Sequence, residues 1–203
     1  MERLVLVAFG DSLTVGFRSS GGSVPYTYFL KLKIDEMLSQ AGSRLKVEIY
    51  NRGVNGDTTL GMLNRFRRDV VNLKPCCVVI LGGSNDIGWG VPVEEIYGNL
   101  KRMYVKALEE HITPVACAVP SILGFDPLIP PRRRLNQMIK RYCTENGLAF
   151  VDLFTATADP HTGRLLKQYS DDGLHLTEEG YRRIAEEIFA KALKEMIKRC
   201  LEG

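Results

Sequence analysis

Hydrophobic residues along the chain follow two alternating patterns. A continuous apolar run, typical of a strand buried on both faces, covers residues 4–9, and the pattern then repeats with predicted strands over residues 45–50, 76–81, 112–119 and 148–153. Between these runs, apolar residues recur at every third or fourth position, which is typical of helices with one buried face, over residues 25–42, 58–73, 93–110, 131–146 and 177–200. The pattern therefore predicts five strands that alternate with five helices.

Such an alternation favours parallel strands joined by right-handed crossover helices. We therefore expect an α/β fold with a doubly wound, mainly parallel five-stranded sheet and helices on both faces, in a flavodoxin-like or Rossmann-like arrangement. The length of 203 residues, 45% of them hydrophobic, suits one core, so residues 1–203 are predicted to form a single domain. In such a sheet, ligands bind at the carboxyl ends of the strands.

Composition and charge narrow the range of partners. The formal charge is only +3, from 27 basic and 24 acidic residues, which does not predict a nucleic-acid partner. No apolar stretch approaches the roughly 20 residues of a membrane span, and residues 1–9 lack the features of a signal peptide. We therefore expect a soluble, cytoplasmic protein. Its five cysteines have no metal-ligand spacing and are predicted to be structural thiols.

Glycines and polar residues gather where three of the predicted strands end. These segments are Gly10-Asp11-Ser12, Asn51-Arg52-Gly53 and Gly82-Gly83-Ser84-Asn85-Asp86, and a fourth, Asp171-Asp172-Gly173-Leu174-His175, precedes the last helix. Because parallel strands end at one edge of a sheet, we expect the polar segments to meet there.

In order along the chain, these segments resemble the four sequence blocks of the SGNH or GDSL hydrolases. The matching residues are Gly10-Asp11-Ser12-Leu13, Gly53, Gly83-Ser84-Asn85-Asp86 and Asp172-Gly173-Leu174-His175, and the resemblance covers residues 4–190. It implies a flavodoxin-like SGNH hydrolase fold and an esterase or lipase activity that needs no cofactor or metal. The substrate would be a small-molecule ester, thioester, lysophospholipid or acetylated sugar, with a short acyl chain or acetyl group favoured because the loops are small. The oligomeric state stays open.

The residue types themselves suit acyl transfer. A serine hydroxyl attacks an acyl carbon only when a neighbouring base accepts its proton, so Ser12 is the candidate nucleophile and His175 the candidate base. Asp172, three residues before His175, is the candidate partner of the other ring nitrogen. On this hypothesis, activity falls in acid as His175 becomes protonated.

Acyl transfer also places a negative charge on the carbonyl oxygen, which needs preorganised hydrogen-bond donors. The resemblance implies three of them in an oxyanion hole. They are the backbone N–H of Ser12, the backbone N–H of Gly53 and the side-chain amide of Asn85.

Several nearby residues have other interpretations. Asp171 competes with Asp172 as the partner of His175, and Ser84 is a rival nucleophile in a glycine-rich turn. Asp86 is expected to cap the helix after the third strand. Trp89, between two glycines, is a candidate for a mobile wall of the substrate pocket.

The remaining polar features are predicted to have structural roles only. His111 follows a predicted helix and His161 lies in a turn-like segment. Arg132, Arg133 and Arg134 form a basic run that is expected to be solvated and is assigned no role. Residues 17–25 and 120–131 are predicted loops that could lengthen a substrate channel.

Two other classes of function share the predicted fold. Asp11-Ser12-Leu13-Thr14 superficially matches the signature of haloacid-dehalogenase phosphatases, but Leu13 replaces the second aspartate and no carboxylate pair for magnesium is apparent. A noncatalytic flavodoxin-like binding module would leave Ser12, Asn85 and His175 without a role. Ester hydrolysis is the interpretation that uses all of these residues.

Overall fold

A five-stranded sheet with all strands parallel forms the centre of the computed structural model, which describes residues 3–202. Its strands are β1 (Arg3–Gly10), β2 (Lys46–Gly53), β3 (Cys77–Leu81), β4 (Thr113–Cys117) and β5 (Ala149–Val151). Their order across the sheet is β2-β1-β3-β4-β5. The predicted doubly wound parallel sheet is confirmed.

Nine α-helices accompany the sheet in the described chain. They are α1 (Ser12–Val15), α2 (Tyr26–Gln40), α3 (Thr59–Asp69), α4 (Ser84–Gly88), α5 (Val93–Glu109), α6 (Ile129–Asn146), α7 (Leu153–Thr157), α8 (Glu178–Ile188) and α9 (Lys194–Glu202). A π-helical turn, Phe189–Leu193, joins α8 to α9. Within residues 3–202, no helix is both long and apolar enough to cross a membrane.

The apolar runs of the sequence are continuous because both faces of the sheet are covered. On β1, Leu6 and Ala8 pack into a core formed with α2, α8 and α9, whereas Val7 and Phe9 pack into a second core formed with α3, α5 and α6. Alternate residues of one strand therefore serve two cores, and every position from Leu6 to Phe9 must be apolar.

The structure departs from the sequence-based elements mainly at the carboxyl ends of strands. β4 and β5 are shorter than predicted, and β5 ends at Val151 because the next side chain, Asp152, accepts the Thr155 N–H at 3.0 Å and begins α7. The short helices α1, α4 and α7 were not predicted, since four or five residues are too few to display a helical period. They turn the chain sharply just beyond strands β1, β3 and β5.

The edge where the strands end is also where the winding of the sheet changes direction. β1 lies between β2 and β3, so the chain leaves β1 in one direction and later returns on its other side. At its end, Gly10 pairs with Gly53 on β2 and with Leu81 on β3. Three of the four polar segments therefore leave the sheet side by side, at the position where open α/β sheets bind ligands.

Candidate active site

Ser12 stands at the first position of α1, immediately after β1. The carboxylate of Asp11 accepts the Leu13 N–H at 2.9 Å and caps this short helix. Ser12 is 7% exposed, and its Oγ lies 3.2 Å from Nε2 of His175. A backbone N–H at the first position of a helix has no acceptor within that helix, so the Ser12 N–H is open to a ligand.

His175 and Asp172 form a local pair within one turn. Oδ2 of Asp172 lies 2.8 Å from Nδ1 of His175, while Oδ1 accepts the backbone N–H groups of Leu174 and His175 at 2.9 and 2.7 Å. Asp172 rather than Asp171 makes these contacts. Partial burial acts to raise the pKa of Asp172, but the hydrogen bonds from His175 and Leu174 outweigh it and hold the pKa below its usual value. The carboxylate thus stays ionised beside the ring.

Gly173 allows this turn to pack closely under the loop of residues 120–131. Its φ is +85°, and a Cβ at this position would lie 2.2 Å from the carbonyl oxygen of Leu123. A backbone hydrogen bond also joins this loop to the turn, because the Leu123 N–H donates to the Gly173 carbonyl oxygen at 2.8 Å. A side chain here would move the turn that carries both Asp172 and His175.

Phe17 covers the other side of the His175 ring. The two rings meet edge to face with centroids 4.6 Å apart, and the Phe17 carbonyl accepts the hydroxyl of Tyr181 at 2.7 Å. Phe17 also pairs with Ser23 in an isolated antiparallel bridge that closes the loop of residues 17–25. The loop therefore ends against the imidazole and limits how His175 can rotate.

Asn85 is held on the opposite side of the strand ends by the turn after β2. Its Nδ2 donates to the carbonyl oxygen of Asp57 at 2.8 Å. A primary amide nitrogen carries two hydrogens, so one N–H of Asn85 is used for anchoring and the second is free to bind a ligand. This arrangement fits the predicted role of Asn85 as a donor.

The prediction for Gly53 conflicts with its hydrogen bonding. The Gly53 N–H already donates to Oδ1 of Asn51 at 2.9 Å, so this structure does not offer it to an oxyanion. The nearby turn provides an alternative, because Asp57 donates its N–H to Val54 and leaves Gly56 at the corner with a φ of +72°. Within residues 3–202, no acceptor contacts the Gly56 N–H. The Asn-Gly pair before Asp57 is a sequence signal that could have identified this turn.

Asp86 caps a different helix from the one predicted. It lies inside α4, and its carboxylate accepts the backbone N–H of Thr59 at 3.0 and 3.1 Å and the Thr59 hydroxyl at 2.7 Å, at the start of α3. Asp86 was expected to cap the helix after β3, and this expectation is wrong: it caps α3, the helix after β2. The contact ties α4, which carries Asn85, to the segment after β2.

The basic run does not behave as one solvated cluster. Arg134 is exposed and forms an ion pair with Glu94, and Arg133 lies over the ring of Phe154, but Arg132 is only 1% exposed. The predicted solvation is therefore wrong for Arg132. A helix turns about 100° per residue, so consecutive side chains face different directions.

A second buried arginine holds the ends of β1 and β2 together. Arg65 on α3 forms ion pairs with Asp57 at 2.7 Å and Asp69 at 3.0 Å. Its guanidinium also lies over the aromatic ring of Phe9, with Cζ 4.2 Å from the ring centroid. It also donates to two main-chain carbonyls, those of Gly10 at 2.8 Å and Arg52 at 2.9 Å. The sequence analysis did not single out Arg65.

Asp11 is completely buried behind Ser12. Burial raises the pKa of Asp11 to about 7, against the opposing hydrogen bond from the Leu13 N–H, and the neighbouring carboxylates of Asp86 and Asp57 raise it further. Its Oδ2 has no hydrogen-bond partner in the described chain. A carboxyl group that titrates near neutrality therefore adjoins the candidate nucleophile.

The other titratable candidates lie away from this site. His111 adopts a left-handed conformation after α5, and the His161 N–H donates to Asp159 in an exposed turn. The thiols at positions 76, 77, 117, 143 and 200 are free, and burial raises the pKa of Cys143 to about 11. Among residues 3–202, no group of three or more His, Cys, Asp or Glu side chains is arranged to hold a metal ion.

Known proteins resemble this chain in sequence family and in fold. Residues 8–183 match the model of the GDSL-like lipase/acylhydrolase family. A putative acylhydrolase from Bacteroides fragilis NCTC 9343 superimposes with a TM-score of 0.71 at 26% identity, over 97% of this chain and 88% of that chain. Axe2, an acetylxylan esterase from Geobacillus stearothermophilus, shares the fold with a TM-score of 0.76 at 20% identity, over 94% and 93% of the two chains.

One curated relative matches over a shorter segment. It is an uncharacterized lipoprotein, YqeF, of Bacillus subtilis strain 168, which is 33% identical over 81 residues. The match covers 40% of this chain and 31% of the relative, which is less than a third of that protein's length.

The parallel sheet with helices on both faces defines a protein of the α/β class, with its candidate site at the strand ends. The family model matches most of the chain, and its members are lipases and acylhydrolases. The chain belongs to the GDSL-like lipase/acylhydrolase family, and it is a carboxylic ester hydrolase.

Proposed function

We propose that this ester hydrolase works through a Ser12-His175-Asp172 triad and an acyl-enzyme intermediate. The observation that carries the proposal is the unbroken chain of contacts from Ser12 Oγ to His175 Nε2 at 3.2 Å and from His175 Nδ1 to Asp172 Oδ2 at 2.8 Å. This order places a base beside the nucleophile and an ionised orienting group behind the base.

In the first step, Ser12 Oγ forms a bond to the ester carbonyl carbon, and its proton passes to Nε2 of His175. The bond between that carbon and the alcohol oxygen then breaks, and His175 returns the proton to the departing alcohol. In the second step, water attacks the acyl-Ser12 carbon and gives a proton to His175. The bond between that carbon and Ser12 Oγ then breaks, His175 returns the proton to Oγ, and the acid is released. Asp172 keeps the ring oriented and stabilises its protonated form throughout.

The carbonyl oxygen becomes negative in both steps and needs donors. We assign the Ser12 N–H, the free N–H of Asn85 and the Gly56 N–H to this oxygen, with Gly56 replacing Gly53 because the Gly53 amide is bonded to Asn51. Asn85→Ala should lower kcat by about 10²–10³-fold while the fold is kept, since one such donor is worth that much in other acyl-transfer enzymes.

For the substrate, we propose an ester with a short acyl chain or an acetyl group. The groove next to Asn85 is small, at about 260 Å³, which favours a compact substrate over a long acyl chain. Axe2, whose fold is similar, is an acetylxylan esterase, so acetylated sugars join simple esters among the substrates to be tested.

A fluorophosphonate, which reacts with activated serines, tests the mechanism. Intact mass and peptide mapping should show a single adduct, on Ser12, in the wild type, and none at a comparable rate in His175→Ala. His161→Ala is the matched control, because it removes an exposed histidine in a surface turn and should label like the wild type. Folded protein that gains no adduct at Ser12, or that is labelled at Ser84 instead, would contradict the triad.

A further inference from the structure

A groove of about 260 Å³ lies directly beside the proposed oxyanion site. It runs between Asn85 and Leu174, the neighbour of His175, and its outer rim carries Trp89 and Phe125. These two aromatic side chains are 69% and 57% exposed. Exposed aromatic residues that line a groove next to the candidate nucleophile offer apolar contact to the part of a substrate that does not react.

The inner end of the groove is closed by Arg132, whose hydrogen bonding is incomplete. A guanidinium carries five N–H donors. In the described chain, Nη2 donates to the Ser84 hydroxyl at 2.9 Å and Nη1 makes a long contact of 3.4 Å to the Leu128 carbonyl, while Nε has no partner. Most of the donor capacity of this buried cation is therefore unused.

The charge of Arg132 is also unbalanced. No carboxylate in residues 3–202 forms an ion pair with it, and Asp11 acts on it only across a distance. Burial without such a partner lowers the pKa of Arg132 to about 10. A buried cation is normally paired, since leaving it unpaired costs free energy. If Arg132 served only to fasten α6 to Ser84, a neutral side chain would do so without this cost.

We propose that Arg132 determines specificity by pairing with an anionic oxygen group of the substrate, a carboxylate or a phosphate, so that the enzyme prefers esters with a negative charge close to the scissile bond. The uncharged body of such a substrate lies against Trp89 and Phe125. The anionic group belongs to either the acyl half or the alcohol half of the ester. This inference rests on the proposed function, because it assumes that the ester reacts at Ser12.

Two substrate pairs, each with the same reacting ester and a different charge, test the inference. For the acyl half, 4-nitrophenyl hydrogen glutarate is compared with its methyl ester. For the alcohol half, acetylated glycerol 3-phosphate is compared with glycerol monoacetate. In at least one pair, kcat/KM of the wild type should be about tenfold or more higher for the anionic member, as charge-assisted hydrogen bonds are strong in buried sites. Equal values within both pairs would overturn the inference.

Variants at Arg132 separate recognition from packing. Arg132→Gln should abolish the preference, so that kcat/KM becomes about equal for the anionic and the neutral member, and Arg132→Lys should retain part of the preference. Arg134→Gln is the matched control, because Arg134 lies on the same helix but is exposed. If Arg132→Gln lowers kcat/KM by the same factor for the anionic and the neutral member, Arg132 has only a structural role. That result would also overturn the inference.

A measurement on the wild type covers the case in which Arg132→Gln does not fold. Glutarate and inorganic phosphate should inhibit hydrolysis of 4-nitrophenyl acetate competitively, and glutaramide should inhibit at least about tenfold more weakly than glutarate. Equal inhibition by glutarate and glutaramide would count against an anion site. Fluorophosphonate labelling is measured on the same sample: a labelled Ser12 without anion preference refutes this inference alone, whereas an unlabelled Ser12 refutes the triad.

Discussion

Two buried arginines lie near the strand ends, and they are surrounded very differently. Arg65 pairs with the carboxylates of Asp57 and Asp69, donates to two strand-end carbonyls and lies over an aromatic ring. Arg132 has one hydroxyl partner, one long carbonyl contact and no carboxylate in the described chain. Both guanidinium groups are largely buried, but of the two only Arg65 has carboxylate partners among residues 3–202.

The difference separates a structural cation from one that is available for binding. Arg65 uses four of its five N–H donors within the described chain, and two of these bonds join α3 to the ends of β1 and β2. A guanidinium with unused donors has capacity for a partner that the chain does not provide. The free energy of unfolding should therefore respond to the two residues differently, and the changes below are ordered by the size of the expected effect.

Arg65→Met should have the largest effect. It leaves the partly buried carboxylate of Asp57 without its cation, whereas Asp69 loses one of two arginines and keeps Arg68. Breaking a buried ion pair typically costs about 3–5 kcal/mol. We expect the free energy of unfolding, measured in urea, to fall by about this amount, with activity lost alike on charged and neutral esters. A loss below about 1 kcal/mol would show that Arg65 is not the clamp described here.

Asp11→Asn should have the next largest effect, and one that depends on pH. The ordinary pKa of Asp is 3.8 and burial raises that of Asp11 to about 7, so between these values the native state holds a proton that the unfolded chain has lost. The wild type therefore loses stability as the pH rises through this window, by up to about 4 kcal/mol. The variant, neutral at every pH, avoids this loss.

Urea unfolding at pH 4 and at pH 8 measures this difference. Asp11→Asn should gain at least about 2 kcal/mol relative to the wild type between the two pH values, because asparagine can still accept the Leu13 N–H that caps α1. It also removes the carboxylate that acts on Arg132 from a distance. If the free energy of unfolding changes with pH in the same way for both proteins, burial does not raise the pKa of Asp11.

Arg132→Met should change the free energy of unfolding by less than about 1 kcal/mol in either direction. Replacing a buried charge by an apolar side chain of similar volume is often neutral or stabilising, because the cost of burying the charge disappears. The same urea experiment as for Arg65→Met gives the comparison directly. A loss as large as that of Arg65→Met would place Arg132 among the structural cations.

Arg134→Ala should have the smallest effect. Arg134 is 66% exposed and its partner Glu94 is 56% exposed, so solvent and salt screen the pair. We expect a loss of less than about 0.5 kcal/mol at low salt, and none at 1 M salt. A larger loss that persists in salt would indicate packing by the arginine stem rather than charge.

Much of the fold follows from the sequence because both faces of the sheet are buried. That condition makes the central strands β1 and β3 apolar over residues 4–9 and 77–81 and makes helix residues periodic, and both patterns are visible without coordinates. The end of β5 could not be predicted in this way, because it depends on whether Asp152 caps α7 or continues the strand. Such competition between a side-chain cap and a ladder hydrogen bond has no periodic signature.

The candidate site is predictable where it is built locally. Ser12, Asp172 and His175 were identified from short segments, and the structure brings them together. Gly53 was assigned as a donor, but whether an amide is free depends on a side chain two residues away, here Asn51. Such a bond is an Asx turn, so the Asn51-Arg52-Gly53 segment contained a local signal for it.

The burial of Arg132 was not predicted, although the sequence contains a signal for it. The buried positions of α6 after its first turn include Leu135, Asn136, Ile139 and Cys143, and Arg132 falls on the same stripe at the helical spacing. Considering the three arginines as one cluster hid the fact that only one of them faces inward. The helical period, applied to charged residues as well as apolar ones, would have found it.

The turn that carries His175 has a consequence for how this enzyme can change over evolution. One carboxylate, that of Asp172, both folds its own turn and orients the imidazole, so the acid and the base depend on four consecutive residues rather than on distant parts of the chain. Insertions in the surrounding loops can therefore reshape the substrate groove without separating the acid from the base. Substrate preference and catalytic chemistry can diversify independently in such a scaffold.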